Sequence, residues 1–500
     1  MISCVLFLFG YAIHDCGVCW RYLLKIRWKS VRNVFENLFT NPFTTRGIMS
    51  RAQADNEARL LAYLATGVRT SEDIQERLNL SQPSVSRLIA RVSEQVVIIG
   101  NARTRRYTTR RDLRGLGGEF PVFSVDEDGN ASSIGVLSAI GHDEYLWQPK
   151  GDGAVQYKSL PWFLSDLRPD GFTGRAFVRR LSETLSLPSR IFDWTDDHVL
   201  VALACRGEDL MGNLIIGKES LDRYFSLSHE RFGLLTQDQL ATAYPVMAKN
   251  AMEGQPVGSS AGGEQPKFTL RVDRKGKIEN LLVKFSPPVH SVEGRRWADL
   301  LICEHLALGI VKEMGILAAK TSLVEAEDRV FLEVTRFDRV GRCGRLPMIS
   351  LRAIDNEFYG RQDNWIAAAD RMEADGRLSS EDARNLRWLW VFGDLIANTD
   401  KHFGNVSLVP LSVDRFTLRP AYDMLPMLYR PMDGAAPERT FRPPPFSTQA
   451  ADQWDSALAA AITFWERASV DKRISERFRQ ISHGNLGIVR SLQNGPRLIS

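Results

Sequence analysis

The feature that most constrains the fold is a cluster of polar residues that directly follows a strongly apolar segment. Residues 381–396, EDARNLRWLWVFGDLI, carry too many apolar side chains for a surface helix, and the pattern predicts a buried one. The next segment, ANTDKHFGNVSL, places five polar side chains within eight positions ahead of a predicted strand: Asn398, Asp400, Lys401, His402 and Asn405. Because buried polar groups need partners, this cluster predicts a functional site.

Length and composition indicate a globular protein with several domains. The chain has 500 residues, of which 44% are apolar and 25% are charged. This length predicts about three domains. The six cysteines are widely spread and form no pair of C-x-x-C motifs, so we expect neither a disulfide framework nor a zinc site. These features favour the reducing cytoplasm.

Residues 1–48 differ from the rest of the chain. The apolar stretch near the start is interrupted by His14 and Asp15, so it is short for a membrane span, and no basic region precedes it as in a secretory signal. These residues carry six Lys and Arg against two acidic residues, which accounts for the whole net charge of +4. We expect an upstream extension that is not a folded domain, with a weak membrane anchor as the alternative.

Residues 49–118 are predicted to form a winged helix-turn-helix that binds DNA. Apolar residues at helical spacing and capping residues near Thr70 and Ser81 indicate three short helices, and a basic hairpin is predicted around Gly100 and Asn101. Residues 81–118 hold eight arginines against two acidic residues, which suits phosphate contacts. The residues expected to contact DNA lie on the second helix of the motif or in the wing: Gln82, Ser84, Ser86, Arg87, Arg103, Arg105 and Arg106. A protein-interaction module with a solvated basic face is the alternative.

Residues 119–245 give less indication of function than the preceding module. Short strands are predicted on either side of a turn at Asp128 and Gly129, and helices are predicted around residues 174–185 and 196–210. The stretch shows no metal-ligand spacing and no catalytic cluster. It predicts a domain with both helices and strands.

A Gly/Ser-rich turn and a lysine follow. Residues 254–272, GQPVGSSAGGEQPKFTLRV, lead into a predicted strand, and backbone N–H groups of such a turn can bind an anion, although neither a Walker A nor a G-x-G-x-x-G pattern is present. A flexible surface turn is the alternative. The next strand carries Lys284, which would guard an edge strand against aggregation or hold nucleotide phosphates. Asp299 and Glu304 on the following helix are both candidate partners for Lys284, and the sequence leaves this choice open.

The spacing within the polar cluster indicates phosphoryl transfer. Asp400 and Asn405 are five positions apart, as are the base and the metal ligand in the H-R-D-L-x-x-x-N loop of protein kinases, and a predicted hairpin then leads to Asp423. Phosphoryl transfer needs a carboxylate for the hydroxyl proton, oxygen ligands for Mg²⁺ and a cation on the phosphates. Each residue also has an ordinary alternative as a turn or helix-capping residue. Their order after the glycine-rich turn and Lys284 favours an active site.

With these motifs the chain resembles the HipA family of serine/threonine kinases, the toxins of bacterial toxin–antitoxin pairs. The likeness covers roughly residues 120–450 and rests on SSAGGEQPK, TRFDR, NTDKHFGN and YDMLP, of which NTDKHFGN is the most specific. It implies an α+β chain in which the winged helix-turn-helix precedes a two-lobed protein-kinase-like fold with a mainly α-helical C-terminal lobe. HipA proteins usually rely on a separate helix-turn-helix antitoxin, so the fused module resembles the YjjJ-type branch of the family.

The resemblance implies roles for individual residues. Asp400 would be the catalytic base, His402 would lie where other kinases place a phosphate-contacting lysine, and Asn405 and Asp423 would bind Mg²⁺. The residues expected at the nucleotide are Ser260, Gly262, Gly263, Lys267 and Lys284. Ser260, with Ser259 as a second candidate, would be autophosphorylated. A phosphate there would add about two negative charges to the pocket and inactivate the enzyme.

The expected organisation and activity follow from this reading of the motifs. The domains are an extension (1–48), the winged helix-turn-helix (49–118), a HipA N-terminal subdomain (119–245), a nucleotide-binding lobe (246–345) and a helical lobe (346–500). The expected reaction transfers the γ-phosphate of ATP, with Mg²⁺, to a protein hydroxyl, and a translation factor such as an aminoacyl-tRNA synthetase is a candidate substrate. DNA is a second expected partner, a separate antitoxin is left open, and no membrane is expected. The alternatives are a DNA-binding transcription regulator with a non-catalytic kinase-like sensor, and a small-molecule phosphotransferase.

Overall fold

The computed structural model describes most of the chain after residue 50. The described ranges are 51–101, 104–151, 153–229, 234–253, 265–446 and 448–493. The interpretation of residues 1–48 lies outside these ranges. So do five of the predicted site residues: Arg103, Ser259, Ser260, Gly262 and Gly263. Helices and strands both contribute substantially, which confirms the expected mixed class.

The first described unit combines three helices with a three-stranded antiparallel sheet. Its elements are α1 (Arg51–Ala65), β1 (Arg69–Thr70), α2 (Ser71–Leu78), α3 (Gln82–Arg91), β2 (Val96–Ile99) and β3 (Arg106–Thr109). Thr70 caps α2 and forms a reciprocal capping box with Asp73. The sheet order is β1-β3-β2, and β2 and β3 form a hairpin. The three predicted helices and the predicted hairpin are therefore confirmed.

The second unit is a five-stranded antiparallel sheet accompanied by helices. Its elements are β4 (Glu119–Val125), β5 (Ala131–Ile140), β6 (Glu144–Pro149), β7 (Val155–Tyr157), α4 (Gly171–Thr184), α5 (Asp196–Arg206), β8 (Leu214–Ile216) and α6 (Lys218–His229). The order is β7-β6-β5-β4-β8, and the predicted turn at Asp128 and Gly129 joins β4 to β5. The hairpin of the first unit packs on this sheet, because Val97 and Ile99 share an apolar core with Ile140.

A second five-stranded sheet follows. Its elements are β9 (Leu234–Thr236), α7 (Leu240–Met252), β10 (Lys267–Arg274), β11 (Lys277–Phe285), α8 (Val292–Glu313), β12 (Thr321–Ala326) and β13 (Arg329–Thr335). The order is β12-β13-β11-β10-β9. Strand β11, which carries Lys284, is therefore the central strand, and the alternative of an edge-strand lysine is wrong.

The remaining elements are mainly helical. They are β14 (Arg339–Val340), β15 (Gly344–Arg345), β16 (Ile349–Ser350), α9 (Leu351–Phe358), α10 (Trp365–Ala374), α11 (Ser380–Leu395), β17 (Ser407–Pro410), β18 (Phe416–Leu418), α12 (Ala451–Val470) and α13 (Glu476–Ser491). The predicted buried helix is confirmed, because Leu386, Phe392 and Leu395 of α11 are fully buried in the largest apolar core. Among the described helices, none combines the length and the apolar character that crossing a bilayer requires.

Candidate active site

A cavity of about 1040 Å³ lies where the second five-stranded sheet meets the segments after α11. Six of the predicted site residues line it: Lys267, Lys284, Asp400, His402, Asn405 and Asp423. Its wall also includes residues of the second unit: Asp166, Leu167, Arg168, Asp170, Gly171 and Leu210. The structure therefore brings together residues that are separated by more than 150 positions in the sequence.

Lys284 lies between two carboxylates. Its Nζ donates to both oxygens of Glu304 at 2.7 Å and also forms an ion pair with Asp423. Lys284 and Glu304 are both buried, at 4% and 0% exposure. Asp299 instead accepts hydrogen bonds from the backbone N–H and the hydroxyl of Ser475, at 2.7 and 2.6 Å. Glu304, and not Asp299, is thus the partner of Lys284.

The protonation of this trio follows from burial and charge. Burial disfavours the ammonium, but the carboxylates of Asp423 and Glu304 outweigh this effect and raise the pKa of Lys284 above its usual value. Burial would raise the pKa of Asp423, but Lys284 and Lys267 lower it overall. Complete burial raises the pKa of Glu304 despite the nearby ammonium. Lys284 is therefore a cation at neutral pH, and Asp423 is its ionised partner.

Lys267 adds a second cation beside Lys284. The two lysines are directly opposite in the antiparallel pairing of β10 and β11, so their side chains lie on the same face of the sheet. Lys267 is 3% exposed and lines the cavity. Two lysines on one buried face form a region suited to phosphate groups.

Asn398 joins the two acidic parts of the site. Its Oδ1 accepts the backbone N–H of Asp400 at 3.0 Å, and its Nδ2 donates to the carbonyl of Asp423 at 3.3 Å. Asn398 is buried at 2% exposure. It follows the end of α11, where Ala397 has a left-handed φ of 60°. The turn that ends the helix thus also fixes the backbone that carries Asp400.

The donor set at this end of the cavity suits a hard cation. Asn405 Nδ2 donates to the carbonyl of Asp400 at 2.8 Å, which turns its Oδ1 away from that carbonyl. Asp423 accepts from Lys284 with Oδ1, and a carboxylate has a second oxygen that can accept a further ligand. Among the described residues, no cluster of three or more His, Cys, Asp or Glu forms a metal site. Mg²⁺ held by one or two side chains plus phosphate and water oxygens does not need such a cluster.

His402 has a structural contact in addition to its place in the cavity wall. Its Nδ1 accepts the backbone N–H of Gly404 at 3.0 Å and so begins the short 3₁₀ turn Phe403–Asn405. Its backbone carbonyl accepts a hydrogen bond from Trp365 Nε1 at 3.3 Å. The imidazole is exposed and lines the cavity beside Asp400.

Sequence reasoning missed the residues that join the second unit to the site. Asp338 forms ion pairs with Arg336 and Arg339 at 2.8 Å and accepts the N–H of Gly212 at 3.0 Å. Arg339 also donates to the carbonyl of Gly212 at 2.9 Å and to Asp209 at 3.1 Å. The motif TRFDR could have indicated these ion pairs, because it contains two arginines and an aspartate. The residues of the second unit that this motif contacts lie about 130 positions earlier in the chain.

The candidate DNA-contacting residues lie on the first unit, apart from the cavity lining. Gln82, Ser86 and Arg87 are exposed on α3, and Ser84 is half-buried. Arg105 and Arg106 are exposed where the hairpin enters β3. Three other arginines of residues 81–118 form ion pairs inside the chain: Arg91 with Glu57 (3.4 Å), Arg110 with Glu119 (2.5 Å) and Arg111 with Asp197 (2.5 Å). Part of the basic charge of this stretch is thus used within the fold.

Comparisons with known proteins match both the middle and the C-terminal part. The family model for the middle domain of YjjJ-like toxins matches residues 116–225, and that for the HipA-like C-terminal domain matches residues 259–483. Over 428 residues the chain is 37% identical to Toxin YjjJ of Escherichia coli (strain K12), which covers 85% of this chain and 96% of that protein.

Solved structures give more distant likenesses. The complex of the Shewanella oneidensis MR-1 toxin–antitoxin proteins HipA and HipB with operator DNA contains a chain with 16% identity and a TM-score of 0.44, covering 75% of this chain and 100% of that one. The Helicobacter pylori proinflammatory kinase CtkA has 14% identity and a TM-score of 0.32, covering 46% of this chain and 90% of that one.

Proposed function

The chain belongs to the YjjJ-like toxin family with a HipA-like C-terminal domain, and we propose on this basis that it is an ATP-dependent serine/threonine protein kinase that acts as a toxin. The observation that carries the proposal is the ion-paired group of Lys284, Glu304 and Asp423 in one cavity with Asp400 and Asn405. A phosphoryl-transfer site requires these residue types within reach of one nucleotide.

Each residue has a distinct role in the proposed reaction. Lys284, kept cationic by its two carboxylates, would bind the phosphates of ATP, with Lys267 beside it. Asp400 would accept the proton of the acceptor hydroxyl as its oxygen bonds to the γ-phosphorus, while the bond from that phosphorus to the β,γ-bridging oxygen breaks and ADP leaves. Asn405 and Asp423 would hold Mg²⁺, and the bound ion would neutralise charge on the phosphate oxygens.

The acceptor is proposed to be a protein hydroxyl, with a translation factor such as an aminoacyl-tRNA synthetase as a candidate. The protein's own glycine-rich turn would be a second acceptor, at Ser260 or Ser259, and a phosphate there would oppose nucleotide binding by charge repulsion. We place the activity in the cytoplasm, where ATP and such substrates are present.

We also propose that the first unit is a winged helix-turn-helix. Helix α3 would enter the major groove with Gln82, Ser84, Ser86 and Arg87, and the hairpin would contact the backbone through Arg105 and Arg106, together with Arg103. The exposure of Gln82, Ser86, Arg87, Arg105 and Arg106 supports the proposal. DNA binding would let the protein regulate its own operon, with or without a separate antitoxin.

The test of the kinase is transfer of label from γ-labelled ATP with Mg²⁺. The purified full chain should label itself, mass spectrometry should find the phosphate on Ser259 or Ser260, and Asp400→Asn should remove the label while retaining nucleotide binding. Undiminished labelling by Asp400→Asn would reject Asp400 as the base.

Transcription regulation is a second candidate function, because the first unit is basic on its exposed face. A protein that binds DNA and never turns over ATP would be a transcription regulator with a non-catalytic sensor. A chain that phosphorylates only small molecules in a screen of hydroxyl compounds would be a small-molecule phosphotransferase.

A further inference from the structure

The residue next to the candidate base has an unusual environment. Asp400 lines the cavity, whereas the side chain of Lys401 packs against α11 and is only 5% exposed. Lysine is rarely buried so fully unless it is paired. The kinase motif H-R-D-L-x-x-x-N has a leucine directly after the aspartate, so it gives no role to a lysine at position 401.

Lys401 makes three contacts with one turn of α11. Its Nζ forms an ion pair with Asp394, donates to the backbone carbonyl of Trp390 at 3.3 Å and lies 3.6 Å from the centroid of the Trp390 ring. A cation over the face of a tryptophan is attracted to the ring, and more strongly where water is excluded. We name Lys401, Asp394 and Trp390 together the loop anchor.

Helix α11 has space for this side chain because residue 393 is glycine. A Cβ at Gly393 would lie 2.8 Å from Cδ of Lys401, which is closer than carbon atoms pack. Glycine inside a helix costs about 1 kcal/mol relative to alanine. Here it lets the alkyl chain of Lys401 lie directly on the helix backbone.

A second contact reinforces the same loop from the neighbouring helix. Trp365 of α10 donates its Nε1–H to the carbonyl of His402 at 3.3 Å and packs edge-on against Trp390, with ring centroids 5.8 Å apart. The two residues after Asp400 are therefore held by contacts with α10 and α11. The backbone N–H of Asp400 is in addition held by Asn398.

Burial makes the charged forms of Lys401 and Asp394 costly. Burial lowers the pKa of Lys401 to about 8, even though Asp394 favours the charged form. Burial also raises the pKa of Asp394. A buried ion pair with such a desolvation cost adds little stability compared with apolar side chains of similar volume.

We propose that Lys401 is a positioning residue: its contacts with Asp394 and Trp390 fix the loop so that the carboxylate of Asp400 stays in the cavity. The inference rests on the proposed kinase function for its activity readout. Misplacement of a reacting group by about 1 Å can cost about 100-fold in rate, so a loosened loop should lower kcat and leave nucleotide binding unchanged.

The test uses three variants of the full chain. Lys401→Met keeps the length of the side chain and removes its charge, Gly393→Ala displaces Lys401 without changing it, and Lys472→Met is the control because Lys472 is an exposed lysine. Both anchor variants should lower kcat by about 10- to 100-fold, with the Kd for an ATP analogue within twofold of wild type. The control should match wild type.

Amide hydrogen exchange of residues 399–405 gives a readout that does not depend on catalysis. The peptide should exchange at least tenfold faster in Lys401→Met and Gly393→Ala than in wild type, under conditions in which other helices remain protected. A purely structural role would lower Tm but leave kcat of the folded protein unchanged within twofold, and this result would overturn the proposal. So would unchanged exchange of the loop.

The two proposals fail in different ways. A wild-type chain that transfers no phosphate to any acceptor, including itself, would reject the proposed kinase. The exchange experiment would then still decide whether Lys401 fixes the loop. If Lys401→Met does not fold, Gly393→Ala provides the same comparison with the lysine retained.

Discussion

Lys284 and Asp423 lie 139 positions apart in the sequence, yet their side chains form an ion pair in the cavity lining. The same ammonium of Lys284 also donates hydrogen bonds to Glu304. One ammonium thus links the central strand β11, helix α8 and the segment after β18. The arrangement keeps Lys284 cationic although it is buried. A bound phosphate would replace part of the hydrogen bonding that the two carboxylates provide to this ammonium.

Replacing Lys284 by methionine should destabilise the protein. Glu304 and Asp423 would lose their shared cation, and removal of one partner from a buried ion pair typically costs about 3 kcal/mol or more. Urea unfolding should show this loss in the free energy of unfolding. Lys277→Met, at the exposed start of the same strand, is the control and should change it by less than about 0.5 kcal/mol. A similar effect of both substitutions would contradict the assigned ion pairs.

Asn398→Ala should lower both stability and rate. The substitution leaves the partly buried N–H of Asp400 and carbonyl of Asp423 without their side-chain partner, at an expected cost of about 1–3 kcal/mol. Because both acidic residues lose a positioning contact, kcat for phosphate transfer should fall by about tenfold or more. Asn356→Ala on the exposed side of α9 serves as the control. Normal kinetics of a folded Asn398→Ala variant would show that this bridge is dispensable.

Asp338 should contribute to the acid sensitivity of the fold. Burial opposes its charged form, but Arg336, Arg339 and the N–H of Gly212 outweigh that effect and hold the pKa of Asp338 well below its usual range. A carboxylate with a lowered pKa in the folded state stabilises above its unfolded pKa of about 3.9, and this stabilisation is lost as pH falls below that value.

The measurement is the free energy of unfolding of wild type and Asp338→Asn between pH 7 and pH 3. The variant should be less stable at pH 7, and the difference between the two proteins should shrink as the pH falls. If the free energies of unfolding of wild type and Asp338→Asn changed in parallel with pH, Asp338 would not be ionised as we infer.

The exposed arginines of the first unit should determine the salt dependence of DNA binding. Each phosphate contact contributes about one unit to the slope of log K against log salt concentration, so Arg105→Ala and Arg106→Ala should each lower that slope by about one. Arg190→Ala, on an exposed loop of the second unit, should leave it unchanged. Equal slopes for all these proteins would place the DNA-binding surface elsewhere or exclude DNA as a partner.

The sequence predicted the local elements well, for physical reasons that particular residues illustrate. The apolar run of α11 carries too many apolar side chains for a surface helix, which predicted its burial, and the Asp-Gly turn at residues 128–129 predicted a hairpin. The five-residue spacing from Asp400 to Asn405 is a local pattern as well. Such features depend on neighbours in the chain and need no knowledge of the tertiary structure.

The parts that the sequence left open depend on long-range packing. Asp299 and Glu304 are five residues apart on α8, so their side chains point about 140° apart, and only the docking of the helix on β11 decides which one meets Lys284. Asp299 and Glu304 are both buried, so burial alone does not show which of them pairs with Lys284. The contacts of Asp338 with Gly212, 126 positions away, likewise have no local signature.

The central claim is that the cavity binds one nucleotide with its metal through Lys284, Asp400, Asn405 and Asp423. Isothermal calorimetry with a non-hydrolysable ATP analogue, with and without Mg²⁺, tests it most directly. Wild type and Asp400→Asn should bind more tightly when Mg²⁺ is present, whereas Asn405→Ala and Asp423→Asn should lose that dependence and Lys284→Met should bind weakly in both conditions. Mg²⁺-dependent binding that is unchanged in the Asn405 and Asp423 variants would contradict the account.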